Sequence, residues 1–152
     1  MRLRQLPTII LAGLALLLLT GRAFPSPPAD SKFQVILVWG TDDPAPPPGK
    51  NYNPLDAHTR SQVKALKWKN YFEVKRIDFA VAQRATTKVA ISEKCEMEVK
   101  DLGAPNVEVA LFGKGKEVGR FKPVSLPKGQ IFVPAGNAPN ETAWLLILKR
   151  LD

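Results

Sequence analysis

Short segments of alternating apolar and polar residues dominate this chain. Between Phe33 and Leu151, such segments follow one another and are separated by Gly and Pro residues. Alternation at period two is typical of a β-strand with one buried face, whereas an amphipathic helix has a period near 3.6. The segment EKCEMEVKD alternates most cleanly, with Cys95, Met97 and Val99 on its apolar side. Regular short strands with Gly and Pro turns predict a mainly β fold, either a small β-sandwich or a partly open barrel.

Two strands are predicted to be central in a sheet. The segment FQVILVWG, which begins at Phe33, is apolar on both faces, and so is the run from Trp144 to Leu148 near the C-terminus. A strand that is apolar on both faces is covered on both faces, as strands in the middle of a sheet are. We therefore expect the first and last strands to be neighbours at the centre of the sheet.

One short helix is predicted over about residues 54–66. Asn53 is placed to cap it, and Pro54 suits the first helical position. A narrow apolar stripe then recurs at helical spacing and consists of Leu55, Thr59, Val63 and Leu66. We expect this stripe to pack on one face of the sheet.

The N-terminus has the pattern of a secretory signal peptide. Arg2 and Arg4 precede an apolar run over residues 9–19, and small residues follow up to Ala23. The run is shorter than the roughly 20 residues that cross a bilayer, although an uncleaved anchor is the alternative. We predict a signal peptide over residues 1–23, a Pro-rich tether over 24–32 and a single β-rich domain over 33–152. The chain is then exported, periplasmic or secreted, with no membrane span after cleavage.

The stretch KALKWKNYFEVKR concentrates positive charge around aromatic residues. At period two, Trp68, Phe72 and Val74 fall on one face, and the phase reverses after Arg76, which is typical of a β-bulge. The opposite, exposed face carries Lys67, Lys69, Tyr71 and Lys75. The hairpin turn GKGK adds Lys114 and Lys116 at its tip.

Two interpretations of this exposed face remain. An aromatic side chain among lysines is the arrangement with which single-strand binders hold a polyanion, here a nucleic acid or an acidic glycan. A lysine-rich solvated strand face is the other interpretation, since edge lysines also suppress aggregation between strands. The six residues of the hypothetical polyanion site are Lys67, Lys69, Tyr71, Lys75, Lys114 and Lys116.

Candidate catalytic and metal-binding groups are few. Cys95 and His58 are the only residues of their kinds, and Cys95 lies on the apolar phase of its strand. One Cys forms no internal disulfide, and one His makes no zinc site. Asp42 and Asp43 precede a proline, as in ordinary turns. We predict no enzyme, no cofactor and no metal. A small hydrolase that uses carboxylates is the remote alternative.

The order of these segments resembles that of small exported bacterial proteins of unassigned function. In them too a short helix leads into a KWKNYFEV-like strand, charged alternating strands follow, and an AWLLIL-like strand ends the chain. The resemblance spans most of Phe33 to Leu151 and implies the bacterial envelope or secretion. We expect an exported, non-catalytic β-domain that acts as an accessory or protein-interaction module, with another envelope protein as its partner. Binding of an anionic polymer is the alternative.

Overall fold

The computed structural model of the chain describes residues 29–137 and 143–152. The signal peptide predicted for residues 1–23 lies outside these ranges, as do residues 24–28 of the predicted tether. The first strand begins at Ser31, two residues before the predicted start of the domain. No helix in the described ranges is long and apolar enough to span a membrane.

The described part of the chain is a two-sheet antiparallel sandwich with one short helix. Its strands are β1 Ser31–Thr41, β2 Asn53–Pro54, β3 Asn70–Val81, β4 Thr86–Ser92, β5 Cys95–Gly103, β6 Asn106–Gly113, β7 Lys116–Ser125, β8 Ile131–Phe132, β9 Ala135–Asn137 and β10 Ala143–Arg150, and its helix is α1 Ala57–Gln62. The first sheet has the order β2-β3-β1-β10-β8, with β9 also paired to β10, and the second has the order β4-β5-β6-β7. The prediction of a mainly β sandwich with one short helix is confirmed.

Strand β1 is the centre of the first sheet. It pairs with β10 on one side and with β3 on the other, so that Val35 lies opposite both Leu148 and Ile77. The prediction that the first and last strands are central neighbours is therefore confirmed. Alternate β1 residues enter two different cores, because Phe33 and Val35 face the second sheet while Ile36 faces away from it.

The main core fills the space between the two sheets. It is built from the buried apolar residues Phe33, Val35, Leu37, Val81, Val89, Ile91, Met97, Val99, Val107, Val109, Leu126, Leu146 and Leu148. Met97 and Val99 are fully buried, as the alternation of EKCEMEVKD predicts. Cys95, the only cysteine of the chain, is free and packs at the margin of this core.

A second core covers the outer face of the first sheet. Ile36, Val38, Tyr71, Leu145 and Ile147 of the first sheet form its floor, and Leu55, Val63 and Trp68 close it from above. The helix is shorter than predicted, and its N-cap is Asp56, whose Oδ1 accepts the N–H of Thr59 at 2.9 Å. The predicted cap fails because Asn53 and Pro54 pair with β3 as a short strand.

A bulge in β3 causes the predicted reversal of phase. Leu37 pairs with Lys75 and Val38 pairs with Glu73, which leaves Val74 as the extra residue. A bulge shifts the side-chain alternation by one residue. Val74 packs against the main core together with Ile77, although their positions differ by an odd number. The bulge lies two residues before the position that the sequence indicates.

Candidate functional site

The six residues of the predicted polyanion face are divided between the two sheets. Lys67 and Lys69 lie between α1 and β3 beside the second core, and Lys75 lies in β3. The Nζ of Lys67 is 5.1 Å from the ring centroid of Trp68, and the backbone N–H of Lys69 donates to Asp42 Oδ1 at 3.0 Å. Lys114 and Lys116 belong instead to the β6–β7 hairpin of the second sheet.

Tyr71 is buried, so the prediction of an exposed aromatic platform is wrong. Only 5% of its surface is exposed, and it packs in the second core. Burial raises the pKa of its phenol. The physical reason is that α1 and the segment after it cover the outer face of the sheet at this point, so both sides of β3 are buried here. The lysines around Tyr71 remain exposed.

A large apolar cleft opens between the two sheets, at the end of the sandwich where the β4–β5 and β6–β7 turns lie. Its volume is about 860 Å³. The first sheet contributes Leu37, Val74, Trp144 and Leu146, and the second sheet contributes Cys95, Leu111, Val118 and Phe121. Pro134 adds to the apolar lining, and Tyr52 lies at the end of the Pro-rich loop over residues 42–52, so this loop takes part in the site. We call this space the cleft.

The floor of the cleft is core, whereas its rim is exposed. Leu37 and Leu146 at the floor are 9% and 6% exposed and belong to the main core. Val118, Trp144 and Phe121 at the rim are 68%, 42% and 37% exposed. Large apolar side chains grouped around an open cavity are unusual on the surface of a soluble protein, and such groups mark interaction sites.

Aromatic contacts hold two of the rim side chains in place. The ring of Trp144 meets that of Trp39 edge to face, with centroids 4.6 Å apart. The ring of Phe121 meets that of Phe132 in the same way at 5.2 Å. Such pairs add to the stabilisation from burial and restrict the rotation of the rings. The rim is therefore preorganised rather than formed by freely rotating side chains.

A cationic corner borders the cleft. Lys94, in the β4–β5 turn, lines it together with Ser92. The backbone N–H of Lys114 donates to the carbonyl oxygen of Lys94 at 2.9 Å, which joins the two turns. Lys116 pairs with Gly113, which itself pairs with Cys95. Lys94, Lys114 and Lys116 form what we call the basic corner, and no described carboxylate lines the cleft beside it.

Cys95 and His58 are not brought together. Cys95 lines the cleft between the sheets, and burial raises the pKa of its thiol, with a further contribution from the charge of Glu96. His58 is exposed on α1, on the outer side of the first sheet. A thiol nucleophile needs a base within hydrogen-bond reach, which this arrangement does not supply.

Several carboxylates of the second sheet are held in ion pairs. Glu108 pairs with Arg120 and with Lys122, whose Nζ lies 3.1 Å from Oε2 of Glu108. Hydrogen bonds from Arg120 and, to a smaller extent, from Lys122 lower the pKa of Glu108. Glu117 is also bound to Arg120, at 2.6 Å. These groups stabilise one another along β6 and β7 rather than lining the cleft.

The acidic residues near the Pro-rich loop organise the backbone. Asp42 accepts the N–H of Lys69, and the carbonyl oxygens of Asp42 and Asp43 accept the side-chain amide of Asn70 at 3.4 and 2.8 Å. Within the described ranges, no group of three or more His, Cys, Asp or Glu residues is placed to hold a metal ion.

The cleft is the feature that sequence reasoning missed. Its lining comes from residues far apart in the chain, so no short motif marks it. Two weak signals exist: Val118 interrupts the charged start of β7, and the exposed Trp144 directly precedes the buried run from Leu145 to Leu148 in β10. When the chain is compared with protein-family models, with curated proteins and with solved structures, none matches.

Proposed function

We propose that this chain is an exported, non-catalytic β-domain that acts as an accessory binding module of the cell envelope or secretome, and that it binds through the cleft. The observation that carries the proposal is the exposed apolar rim of Val118, Trp144 and Phe121 around an opening that reaches the main core. Its export rests on the N-terminal pattern described above.

The size and lining of the cleft support a binding role. A volume of about 860 Å³ falls in the range of about 300 to 1,000 Å³ that is typical of ligand sites. Leaving apolar surface in water costs about 25 cal/mol for each Å². An occupant that covers the rim removes this cost, so the cleft favours a ligand with a substantial apolar part.

The arrangement of reactive groups supports binding over catalysis. Cys95 lines the cleft while His58 lies on the outer side of the first sheet, and Glu108 and Glu117 form ion pairs with Arg120. A hydrolase that uses paired carboxylates draws no support from the cleft, since its described lining holds none.

The burial of Tyr71 weakens the alternative that the chain binds a polyanion. Binding of single strands relies on bases stacking on exposed rings, and Tyr71 is buried. Lys67, Lys69 and Lys75 remain as exposed charges, which attract polyanions only in a salt-sensitive manner. The cleft is therefore the better supported site.

A neutral apolar dye tests the proposal most simply. N-phenyl-1-naphthylamine carries no charge and fluoresces strongly when it leaves water. We expect the full chain to bind it, and we expect Val118→Asn to weaken that binding by several-fold, because the change places an amide on the rim. Leu151→Asn is the matched control, since Leu151 is also exposed but lies beyond the opposite end of β10.

Two results would contradict the proposal. One is a native chain that leaves the dye fluorescence at its value in buffer. The other is equal binding by the wild-type chain and Val118→Asn, which would place the dye elsewhere. Urea unfolding of both variants shows whether any loss of binding comes from loss of folding.

A further inference from the structure

The lining of the cleft holds few polar groups and a single charged one among its described residues. The described lining is apolar apart from Tyr52, Ser92, Lys94, the indole N–H of Trp144 and the thiol of Cys95. Lys94 is its only charged side chain. A ligand that matches this distribution is apolar over most of its length and carries a negative charge at one end.

The basic corner strengthens that charge preference. The turns that hold Lys94 and Lys114 are joined by the 2.9 Å backbone hydrogen bond, and Lys116 follows directly on β7. None of the three lysines forms an ion pair within the described ranges, so their charges are available to a ligand. Of the acidic neighbours in sequence, Glu117 is bound to Arg120, and Glu93 is exposed in the turn.

We infer that the cleft binds a single-chain amphiphile with an anionic head group, such as a long-chain carboxylate, with its apolar chain between the sheets and its head at the basic corner. The inference rests on the proposed function, because it names the ligand class of the same cleft. The chain of the ligand reaches Leu37 and Leu146 at the floor, and the rings of Trp144 and Phe121 flank it at the rim.

The lining disfavours a peptide as the occupant. Each peptide unit brings one donor and one acceptor, and a buried one needs partners for both. The described lining supplies few polar side chains, and the floor residues Leu37 and Leu146 are apolar, so a methylene chain suits the floor better than a polypeptide backbone does. Displacement of the bound dye by an apolar peptide is therefore included among the measured outcomes.

Graded alkyl ligands test the inference with the full chain. Dodecanoate and decanoate below their micelle concentrations, and 1-dodecanol below its solubility limit, are titrated while the tryptophan fluorescence of the chain, to which Trp144 at the rim contributes, is followed. We expect dodecanoate to bind more tightly than decanoate by up to about 15-fold, since each buried methylene is worth about fourfold. We expect 1-dodecanol to bind more weakly than dodecanoate because it cannot pair with Lys94.

Substitutions of Lys94 test the position of the head group. Lys94→Met keeps an unbranched side chain and removes the charge, so dodecanoate should bind about two- to fivefold more weakly, as expected for an exposed ion pair. Binding of 1-dodecanol should weaken less than that of dodecanoate, so the ratio of the two affinities should fall. Lys94→Glu should weaken dodecanoate binding further, whereas Lys67→Met, at an exposed lysine between α1 and β3, should leave the binding of both ligands unchanged.

The outcomes separate this inference from the proposed function. One outcome is that the neutral dye binds while Lys94→Met binds dodecanoate and 1-dodecanol each as tightly as the wild type does. In that case the anionic head group is wrong, and the cleft remains a binding site. If an apolar peptide displaces the dye and dodecanoate does not, the ligand class is wrong. If neither dye nor alkyl ligand binds, both proposals fail.

Vesicles of phosphatidylglycerol distinguish a membrane lipid from a free amphiphile. Co-sedimentation that is lost in Val118→Asn supports a lipid as the source, and absence of co-sedimentation in a chain that binds dodecanoate supports a free amphiphile. The inference would be overturned if Val118→Asn left co-sedimentation intact and the triple variant Lys67→Glu, Lys69→Glu, Lys75→Glu abolished it. The anionic vesicles would then bind the lysines in β3 and in the segment before it.

Discussion

Asp56 joins the helix to the first sheet. One carboxylate oxygen accepts the N–H of Thr59 at the start of α1, and the other accepts a hydrogen bond from Arg76 of β3 at 2.9 Å. Arg76 also donates to Glu73 at 2.6 Å and to Gln34 at 2.8 Å. Because the helix covers the second core, these bonds help to hold that cover in place.

Substitution of Asp56 should separate its two roles. Burial alone would raise the pKa of Asp56, but hydrogen bonds from Thr59 and the pairing with Arg76 outweigh it and lower the pKa to about 2. A lowered native pKa stabilises the fold above the unfolded value near 4, and this stabilisation is lost as the pH falls through about 2. We expect Asp56→Ala to lose about 1 kcal/mol of stability at pH 7.

Asp56→Asn is the matched control, since asparagine caps a helix without a charge. We expect the stability difference between the wild type and Asp56→Asn, measured by urea unfolding, to shrink from pH 5 to pH 2. The side chain is 44% exposed, so solvent screening keeps this difference small. A difference that grows as the pH falls would contradict the account.

Cys95 offers a chemical test at the same scale. Burial raises the pKa of its thiol, and the charge of Glu96 raises it further, so little thiolate is present near neutral pH. We expect iodoacetamide to alkylate the native chain more slowly than the urea-unfolded chain at pH 8, as measured by mass spectrometry. We also expect dodecanoate to slow the native reaction further, since Cys95 lines the cleft. A native rate equal to the unfolded rate would show that the thiol is freely accessible.

Two irregular elements shape the cleft. The bulge in β3 turns Val74 towards the space between the sheets, where it lines the cleft. The β6–β7 hairpin carries Leu111 and Val118 into the lining and the basic corner at its turn. Lys114 and Gly115 in that turn both have positive φ, of 50° and 75°. Such a turn suits the twist of paired strands, and glycine adopts it without strain.

Substitution of Gly115 should weaken the hairpin and, through it, the cleft. A side chain at Gly115 would meet no atom within 4 Å, so the cost of Gly115→Ala is conformational. We expect a loss of about 1 to 2 kcal/mol in urea unfolding, together with weaker dye binding. Lys114→Asn is the control, since asparagine tolerates positive φ and should preserve stability. Equal stability of Gly115→Ala and the wild type would contradict this description of the turn.

Strand faces were predictable where one side of a strand meets the core and the other meets water. Met97 and Val99 follow that rule, and the double apolar faces around Ile36 correctly indicate a central strand. Tyr71 breaks the rule because the helix layer buries the side of β3 that alternation assigns to solvent. The helix boundary also shifted, since pairing of Asn53 with Glu73 of β3 competes with helix capping. Both errors come from contacts between segments distant in sequence.

At the scale of the whole molecule, the cleft is a property of two sheets that together supply its lining. Leu37, Leu111 and Leu146 belong to three strands in two sheets, and each alone resembles an ordinary core residue. The basic corner likewise depends on two turns that meet only in the folded chain. No local pattern could therefore predict the site, whereas the sandwich follows from the spacing of the strands.

Export is a separate prediction for the whole chain. If the N-terminal pattern is a cleaved signal peptide, the chain recovered from the periplasm or medium of an expressing bacterium should begin at Phe24. N-terminal sequencing checks this directly. A chain that retains Met1 and stays with the cell membranes would support the uncleaved anchor instead.

Methyl NMR of the full chain during titration with dodecanoate locates the binding site directly. We expect shifts for the methyl groups of Leu37, Leu111, Val118 and Leu146, which line the cleft. We expect little change for those of Ile36, Val38 and Val63 in the second core, which serve as an internal control. Shifts confined to the second core, or no shifts at saturating dodecanoate, would contradict the assignment of the cleft as the binding site.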